Sequence, residues 1–92
     1  MKLKDKVVII TGGGTGIGRG ISETMAREGA KVIVNYASSQ KEAEETAAAI
    51  QAAGGAAEVF KASVIVEAEV KMMVQQVLDR YGRLDVLVNN AG

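Results

Sequence analysis

Glycines are the residues of this chain whose spacing most directly indicates chemistry. Five of them fall within the seven positions 12–18, and they follow the β-branched apolar run Val7-Val8-Ile9-Ile10. A glycine turn between a buried strand and a helix leaves backbone N–H groups unpaired at the helix N-terminus. Those amides and the helix dipole both favour a phosphate. The turn therefore predicts a nucleotide-binding site.

Two familiar phosphate motifs do not fit this turn. A Walker A motif that began at Gly13 would need lysine and a hydroxyl residue where Arg19 and Gly20 stand. The strict GxGxxG pattern also fails, because Arg19 or Ile21 occupies the place of its last glycine. The pattern that does match is Thr11-Gly12-x-x-x-Gly16-x-Gly18, with glycines for the turn, the phosphate approach and the helix packing. A merely structural βα turn needs only one or two glycines, so the phosphate interpretation is favoured.

Composition removes several classes of function. The 11 basic and 11 acidic residues cancel, so no electrostatic footprint indicates nucleic acid or an anionic membrane. Cysteine and histidine are absent, which excludes disulfides and thiolate metal sites and removes the usual general base; no metal site is expected. The apolar run after Met1-Lys2-Leu3-Lys4 is too short for a signal peptide or a membrane span. A cytoplasmic protein is the expectation.

Strand-like and helix-like segments alternate along the chain. Strands are predicted at 6–11, 31–36, 57–62 and 84–89, and helices at 16–28, 40–53 and 67–81. Ile17, Ile21 and Met25 share one face of the first helix. Ser38 or Ser39 can cap the second helix, and Glu42 stands three residues beyond Ser39, as a capping box requires. Alternation of this kind indicates βαβ units in a parallel sheet. We therefore expect an α/β, doubly wound, Rossmann-like sheet of strand order 3-2-1-4, with strands VVII, VIV and VLV covered on both faces.

Two motifs at their expected separation carry a family resemblance. Residues 11–19 and the run Asn89-Asn90-Ala91-Gly92, with Tyr81-Gly82-Arg83-Leu84-Asp85 before the last strand, resemble the short-chain dehydrogenase/reductase family. The nearest types are 3-oxoacyl-carrier-protein reductases and bacterial glucose dehydrogenases. The match covers the whole chain but only the first part of a family domain. Residues 1–92 are thus expected to be a dinucleotide-binding half-domain that stops after the NNAG motif.

The resemblance implies a nicotinamide dinucleotide and distributes its contacts along the chain. The turn, with Gly12, Gly14, Thr15, Gly16, Ile17 and Gly18, would hold the pyrophosphate. Ser63 and Val64 would flank the adenine, and Asn90 and Ala91 would lie near the ribose on the nicotinamide side. The alternative for Asn89-Asn90 is a strand-ending turn stabilised by side-chain hydrogen bonds.

The third strand departs from the family pattern just where it ends. Ser63 stands where the family usually carries aspartate, which should weaken adenine recognition. Ile65 and Val66 stand where polar residues are usual, so the run 64–66 either lengthens the third strand or packs against something.

The segment after the second strand bears on the choice between NAD and NADP. A carboxylate there bonds the ribose 2′-hydroxyl of NAD and repels a 2′-phosphate. The residues present are Asn35-Tyr36-Ala37-Ser38-Ser39, with no acid. Ala37 and Ser38 would face the ribose, and the serine hydroxyls could take a phosphate with Arg19 or Lys41 in reach. NADP is favoured and NAD stays open, because a helix cap with solvated charges explains these residues equally well.

The family's activity is hydride transfer between the cofactor and a carbonyl or alcohol substrate, by a serine, a tyrosine and a lysine four residues after the tyrosine. Four residues after Tyr36 is Gln40, and four after Tyr81 is Asp85, so no catalytic residue is assigned here. The resemblance places that set beyond Gly92, and we expect this chain alone to transfer no hydride. The alternative function is a self-associating structural or engineered Rossmann fragment. In either case the fourth strand is an unprotected edge, which predicts a homo-oligomer.

Overall fold

The computed structural model describes residues 2–90, so the predicted contact residue Ala91 lies outside the described residues. The elements in chain order are β1 Val7–Ile10, α1 Gly16–Arg27, β2 Lys31–Tyr36, α2 Gln40–Ala52, β3 Ala56–Lys61, α3 Glu67–Tyr81 and β4 Val86–Val88. The bounds of β2 and α3 are as predicted, and most others differ by one residue. β4 has three residues instead of the six predicted.

The four strands form one parallel sheet of order β3-β2-β1-β4, as predicted. Ile10 at the end of β1 is level with Val34 in β2 and with Val88 in β4, and Tyr36 is level with Lys61 in β3. The carboxyl ends of the strands therefore lie along one edge of the sheet. This register brings the glycine turn and the segments after β2, β3 and β4 to the same edge, where ligands of open α/β sheets bind.

Alternate residues of the central strands feed two apolar clusters on opposite faces. Val8, Ile10, Val32 and Val34 pack with α1 and α2, whereas Val7, Ile9 and Ile33 pack with Met73 and Val77 of α3. VVII and VIV are thus covered on both faces, as expected for a buried parallel sheet. The same expectation is wrong for VLV, because α3 packs over β1 and β2 and leaves Leu87 of β4 48% exposed.

Of two local predictions on the helices, the capping box of α2 is wrong and the shared face of α1 is confirmed. Ser39 is the N-cap of α2 but makes no capping hydrogen bond, because its φ of −88° and ψ of 58° depart from the extended backbone that such a bond needs. Ile17, Ile21 and Met25 do share one face of α1, as predicted, because all three line the same shallow groove. Ile17 at the start of the helix is 78% exposed, whereas Ile21 and Met25 are partly buried against the core.

Of the two explanations offered for the apolar run 64–66, a longer third strand is wrong, whereas packing against something other than the core of this chain stays a prediction. β3 ends at Lys61, so the run does not lengthen the strand. Ile65 is 91% exposed and Val66 is 40% exposed, so neither is packed into the core. The chain turns here instead, and the turn is closed by a hydrogen bond from the Val66 N–H to the Ser63 carbonyl at 3.1 Å.

Each of the three helices has both buried and exposed positions, as an amphipathic helix does. Among residues 2–90, none of the helices combines the length and the apolar content that crossing a bilayer requires.

Candidate functional site

The turn between β1 and α1 needs glycine at three positions for its backbone path. Gly12 and Gly16 have φ values of 61° and 51°, in the left-handed region that side chains disfavour. A Cβ atom on Gly18 would collide with the Gly12 carbonyl oxygen and would lie 2.6 Å from the Asn90 amide nitrogen. The start of α1 is therefore pressed against the turn and against the end of β4.

Gly14 is required for another reason, which is the packing of the second helix. A Cβ atom there would lie 2.5 Å from Cα of Ala43 in α2. Around Gly16, by contrast, a Cβ atom would meet open space. Of the two, Gly16 is thus the glycine that leaves room for a ligand, whereas Gly14 makes room for α2.

The carbonyl groups of the turn are directed into the protein. The Gly12 carbonyl accepts a hydrogen bond from Nδ2 of Asn90 at 3.2 Å, the Gly13 carbonyl from Oγ of Ser22 at 2.9 Å, and the Gly14 carbonyl from Oγ1 of Thr46 at 2.9 Å. Within residues 2–90, the amides of residues 14–18 have no hydrogen-bond acceptor. A turn with satisfied carbonyls and free amides is suited to bind an anion.

Buried Asn35 connects this turn to the neighbouring strands. Its carbonyl accepts the Gly13 N–H at 3.1 Å, and its side-chain amide donates to the carbonyls of Phe60 and Ala62 at 3.2 and 3.1 Å. The end of β3 is thereby held at a fixed height beside the turn. Ser63 and Val64 follow directly, with the Ser63 N–H bonded to Oε1 of Glu69 at 2.9 Å.

The end of β4 is held to the turn from the other side. Oγ1 of Thr11 donates to the Val88 carbonyl at 3.2 Å and accepts the Asn90 N–H at 2.9 Å. The interpretation of Asn89-Asn90 as a strand-ending turn therefore describes the contacts present, since the Asn90 side chain supports the Gly12 carbonyl. A cofactor contact of Asn90 stays a prediction.

A cleft of about 170 Å³ lies between the glycine turn and the segment after β2. It brings together Gly12, Gly14 and Thr15 with Ala37 and Ser38, five of the predicted contact residues, and is completed by Asn35, Tyr36 and Ser39. No acid lines it. Neither Arg19 nor Lys41 lines it either, and Arg19 pairs with Glu23, Nε to Oε2, at 3.5 Å. Ser63 and Val64 are not in its lining.

Sequence reasoning missed Ser22, Asn35 and Thr46, although the pattern held a signal for them. Ser22 lies four residues from Gly18 and from Ala26 on the buried face of α1, and Thr46 lies among Ala43, Ala47 and Ile50 in α2. Asn35 interrupts the apolar run of β2. A polar residue at a core position indicates a buried hydrogen bond, and each of these residues makes one.

Tyr81 does not have the electrostatic surroundings of a catalytic acid. Burial and the neighbouring Glu58 carboxylate raise the pKa of Tyr81 to about 12. A tyrosine that donates a proton near neutral pH needs its pKa lowered instead. Tyr81 contributes to the cluster under α3, as the helical spacing predicted.

The family model described as short chain dehydrogenase matches residues 6–92. The chain belongs to this family. A short-chain dehydrogenase/reductase homologue of Bacillus subtilis, YusS, is 47% identical over 91 residues, which are 99% of this chain and 84% of the homologue. The hydroxynaphthalene reductase arp2 of Aspergillus fumigatus is 42% identical over 92 residues, all of this chain and 34% of that enzyme.

Solved short-chain dehydrogenases share the fold closely. An enzyme from Serratia marcescens aligns with a TM-score of 0.94 at 41% identity, over 100% of this chain and 38% of that one. A dehydrogenase of Burkholderia cenocepacia, solved in complex with NADP, aligns with a TM-score of 0.93 at 37% identity, over 100% and 38%. This chain therefore spans most of the Bacillus homologue but little more than a third of the solved enzymes.

Proposed function

We propose that this chain is the cofactor-binding portion of a nicotinamide-dependent oxidoreductase. The observation that carries the proposal is the turn whose three carbonyls are bonded inward while the amides of residues 14–18 stay free. Those amides would take the pyrophosphate, with Gly16 leaving space for it. The other proposed contacts are Gly12, Ile17 and Gly18 in the turn, Ala37 and Ser38 at the adenosine ribose, Ser63 and Val64 at the adenine, and Asn90 and Ala91 at the nicotinamide ribose.

The cofactor that fits the cleft best is NADP. Its lining contains the hydroxyls of Thr15, Ser38 and Ser39 and no carboxylate that would repel a 2′-phosphate. Ser39 keeps its hydroxyl free of a capping bond, so α2 begins beside the cleft with an uncapped first turn. Two solved relatives from Burkholderia cenocepacia contain NADP, which supports the same choice.

The bound nicotinamide would supply the hydride exchanged with a carbonyl or alcohol substrate. Within this chain, the residues available to the cofactor bind and orient it. Neither tyrosine is followed four residues later by a lysine, and Tyr81 has a raised pKa. We therefore propose that residues 1–92 act as a binding half-domain and transfer no hydride by themselves.

Self-association is the second proposed property. β4 is an edge strand of the described sheet, its sequence VLV carries no charge or proline, and Leu87 at its centre is 48% exposed. A second copy of this chain is the proposed occupant, because a net charge of zero leaves no overall repulsion between copies. We also propose a cytoplasmic location for the protein.

NADPH titration of the whole chain tests the proposed function. Binding should change nicotinamide fluorescence and raise the melting temperature, because a ligand that binds only the folded state stabilises it. Ser38→Asp should weaken NADPH binding about tenfold relative to NADH, since the new carboxylate faces the 2′-phosphate. The measurement is the ratio of the two dissociation constants.

Gln40→Asp is the matched control, because it adds the same charge at the start of α2 on a residue outside the cleft lining. The ratio of the NADPH and NADH dissociation constants of this variant should stay near that of the wild type. If neither NADPH nor NADH alters fluorescence or melting at millimolar concentration, the cofactor-binding proposal is wrong.

A further inference from the structure

Two buried hydroxyl groups make contacts that the glycine motif itself does not explain. Ser22 in α1 and Thr46 in α2 are both fully buried, and each donates a 2.9 Å hydrogen bond to a carbonyl of the glycine turn. Neither residue lines the cleft, so neither is placed to touch a ligand. Their role must pass through the backbone to which they are bonded.

A peptide unit is planar and trans, so its C=O and its N–H point in opposite directions. A side chain that fixes the carbonyl of one residue therefore fixes the amide of the next. The unit that joins Gly12 and Gly13 shows this within the chain. Its carbonyl is held by Asn90 on the β4 side, and its N–H points the other way, to the Asn35 carbonyl on β2 at 3.1 Å.

The carbonyls of the next two peptide units are also held by side chains, but their amides belong to residues that line the cleft. Ser22 holds the Gly13 carbonyl, which directs the Gly14 N–H away from α1. Thr46 holds the Gly14 carbonyl, which directs the Thr15 N–H away from α2. Gly14 and Thr15 both line the cleft, and within residues 2–90 their amides have no acceptor.

We propose that Ser22 and Thr46 are positioning residues that aim the Gly14 and Thr15 amides at a phosphate group of the bound dinucleotide. The assignment rests on the proposed NADP binding and deepens it. Without the Thr46 hydroxyl, the peptide unit between Gly14 and Thr15 can rotate so that its carbonyl faces the phosphate. The carbonyl oxygen repels the phosphate, whereas the N–H group attracts it. Thr46 itself does not contact the ligand. It affects ligand affinity through the peptide unit whose carbonyl it holds.

The test compares NADPH dissociation constants at a temperature well below melting. Thr46→Val keeps the shape and removes the hydroxyl, and should weaken NADPH binding about tenfold. Thr46→Ser keeps the hydroxyl and should bind nearly as well as the wild type. Thr24→Val is the matched control, because the Thr24 hydroxyl contacts Arg27 at 3.1 Å rather than the turn.

Amide NMR provides a measurement that a purely structural role would not change. Addition of NADPH should shift the Thr15 amide resonance in the wild type and in Thr46→Ser, and should shift it much less in Thr46→Val. If Thr46→Val does not fold, Ser22→Ala carries the test through the Gly14 amide. An unchanged dissociation constant in folded Thr46→Val or Ser22→Ala would overturn the assignment.

The remaining outcomes separate this assignment from the proposed function. Failure of both variants to fold would show that the hydroxyls serve folding instead, and would also overturn the assignment. Wild-type chain that binds no NADPH would overturn the proposed function and the assignment together. If the wild type binds NADPH and the folded variants have the same dissociation constant, only the assignment of Ser22 and Thr46 is overturned.

Discussion

Single atoms decide what each glycine of the turn does. Gly18 and Gly20 lie in the same helix two residues apart, yet a Cβ atom on Gly18 would collide with the Gly12 carbonyl whereas one on Gly20 would meet nothing within 4 Å. The motif needs the first glycine for packing, while the second only adds backbone freedom to an exposed helical position. We therefore expect an alanine substitution to have opposite effects on stability at Gly18 and at Gly20.

Gly18→Ala should destabilise the chain by about 1–3 kcal/mol, as overpacking does, and should weaken NADPH binding because the turn must shift. Gly20→Ala is its matched control and should stabilise the chain by about 1 kcal/mol, since alanine is the better helix former. Denaturant unfolding of both variants measures the free energies. Equal and small effects of the two substitutions would contradict the packing described for Gly18.

At the scale of the element, β4 is short and is held mainly at its two ends. Before the strand, the Asp85 carboxylate accepts the Val7 N–H at 2.8 Å and two hydrogen bonds from the Arg83 guanidinium at 2.8 and 2.7 Å. After the strand, Thr11 bonds the Val88 carbonyl. These contacts attach β4 to β1 although only three residue pairs join them in the sheet.

The Asp85 contact predicts a pH dependence of stability. Hydrogen bonds from Arg83 and from the Val7 amide lower the pKa of Asp85 to about 2, from its ordinary value of 3.8. A lowered pKa means that the ionised carboxylate stabilises the folded state above about pH 4, and that this stabilisation is lost as the pH falls toward 2. Asp85→Asn should lower stability at neutral pH and flatten the loss between pH 4 and 2.

Urea unfolding at several pH values checks this expectation. Arg83→Gln should have an intermediate effect, because the Val7 amide still bonds the carboxylate. Parallel stability curves for the wild type and Asp85→Asn across that range would show that Asp85 does not link β4 stability to pH.

The periodicity of apolar residues was sufficient to predict where the helices and strands lie. The contacts at the ends of these elements could be described only from the structure. The bounds of α3 follow from local pattern, because amphipathic helices leave a clear period. Strand order follows from the right-handed crossovers of a doubly wound sheet. The absence of a Ser39 cap, the exposure of Ile65 and the shortness of β4 depend on backbone angles and on neighbours distant in sequence. For the same reason the glycine turn could be predicted, but not Ser22 and Thr46, which hold it from two different helices.

At the scale of the whole molecule, the two faces of the sheet are unequally covered. α1 and α2 pack on one face and α3 on the other, while Leu87 within β4 and Ile17 at the start of α1 stay exposed. Exposed apolar residues beside an edge strand favour association with another chain. The proposed second copy would pair with β4 and cover this side.

Sedimentation velocity at high micromolar concentration tests the association. The wild type should sediment as a dimer or larger species, and Leu87→Lys should shift it to monomer because a charge on an edge strand opposes pairing. Met72→Lys places the same charge on an exposed residue of α3 and should leave the oligomer intact. A wild type that stays monomeric would contradict association through β4.

The exposure of Ile65 also has a practical use. Its side chain is 91% exposed, and the chain contains no cysteine, so a thiol introduced at this residue would be unique in the sequence and easily reached by a reagent. It lies two residues after Ser63, at the sheet edge proposed for the adenine. An environment-sensitive dye attached there would report occupation of the site without any dependence on nicotinamide emission.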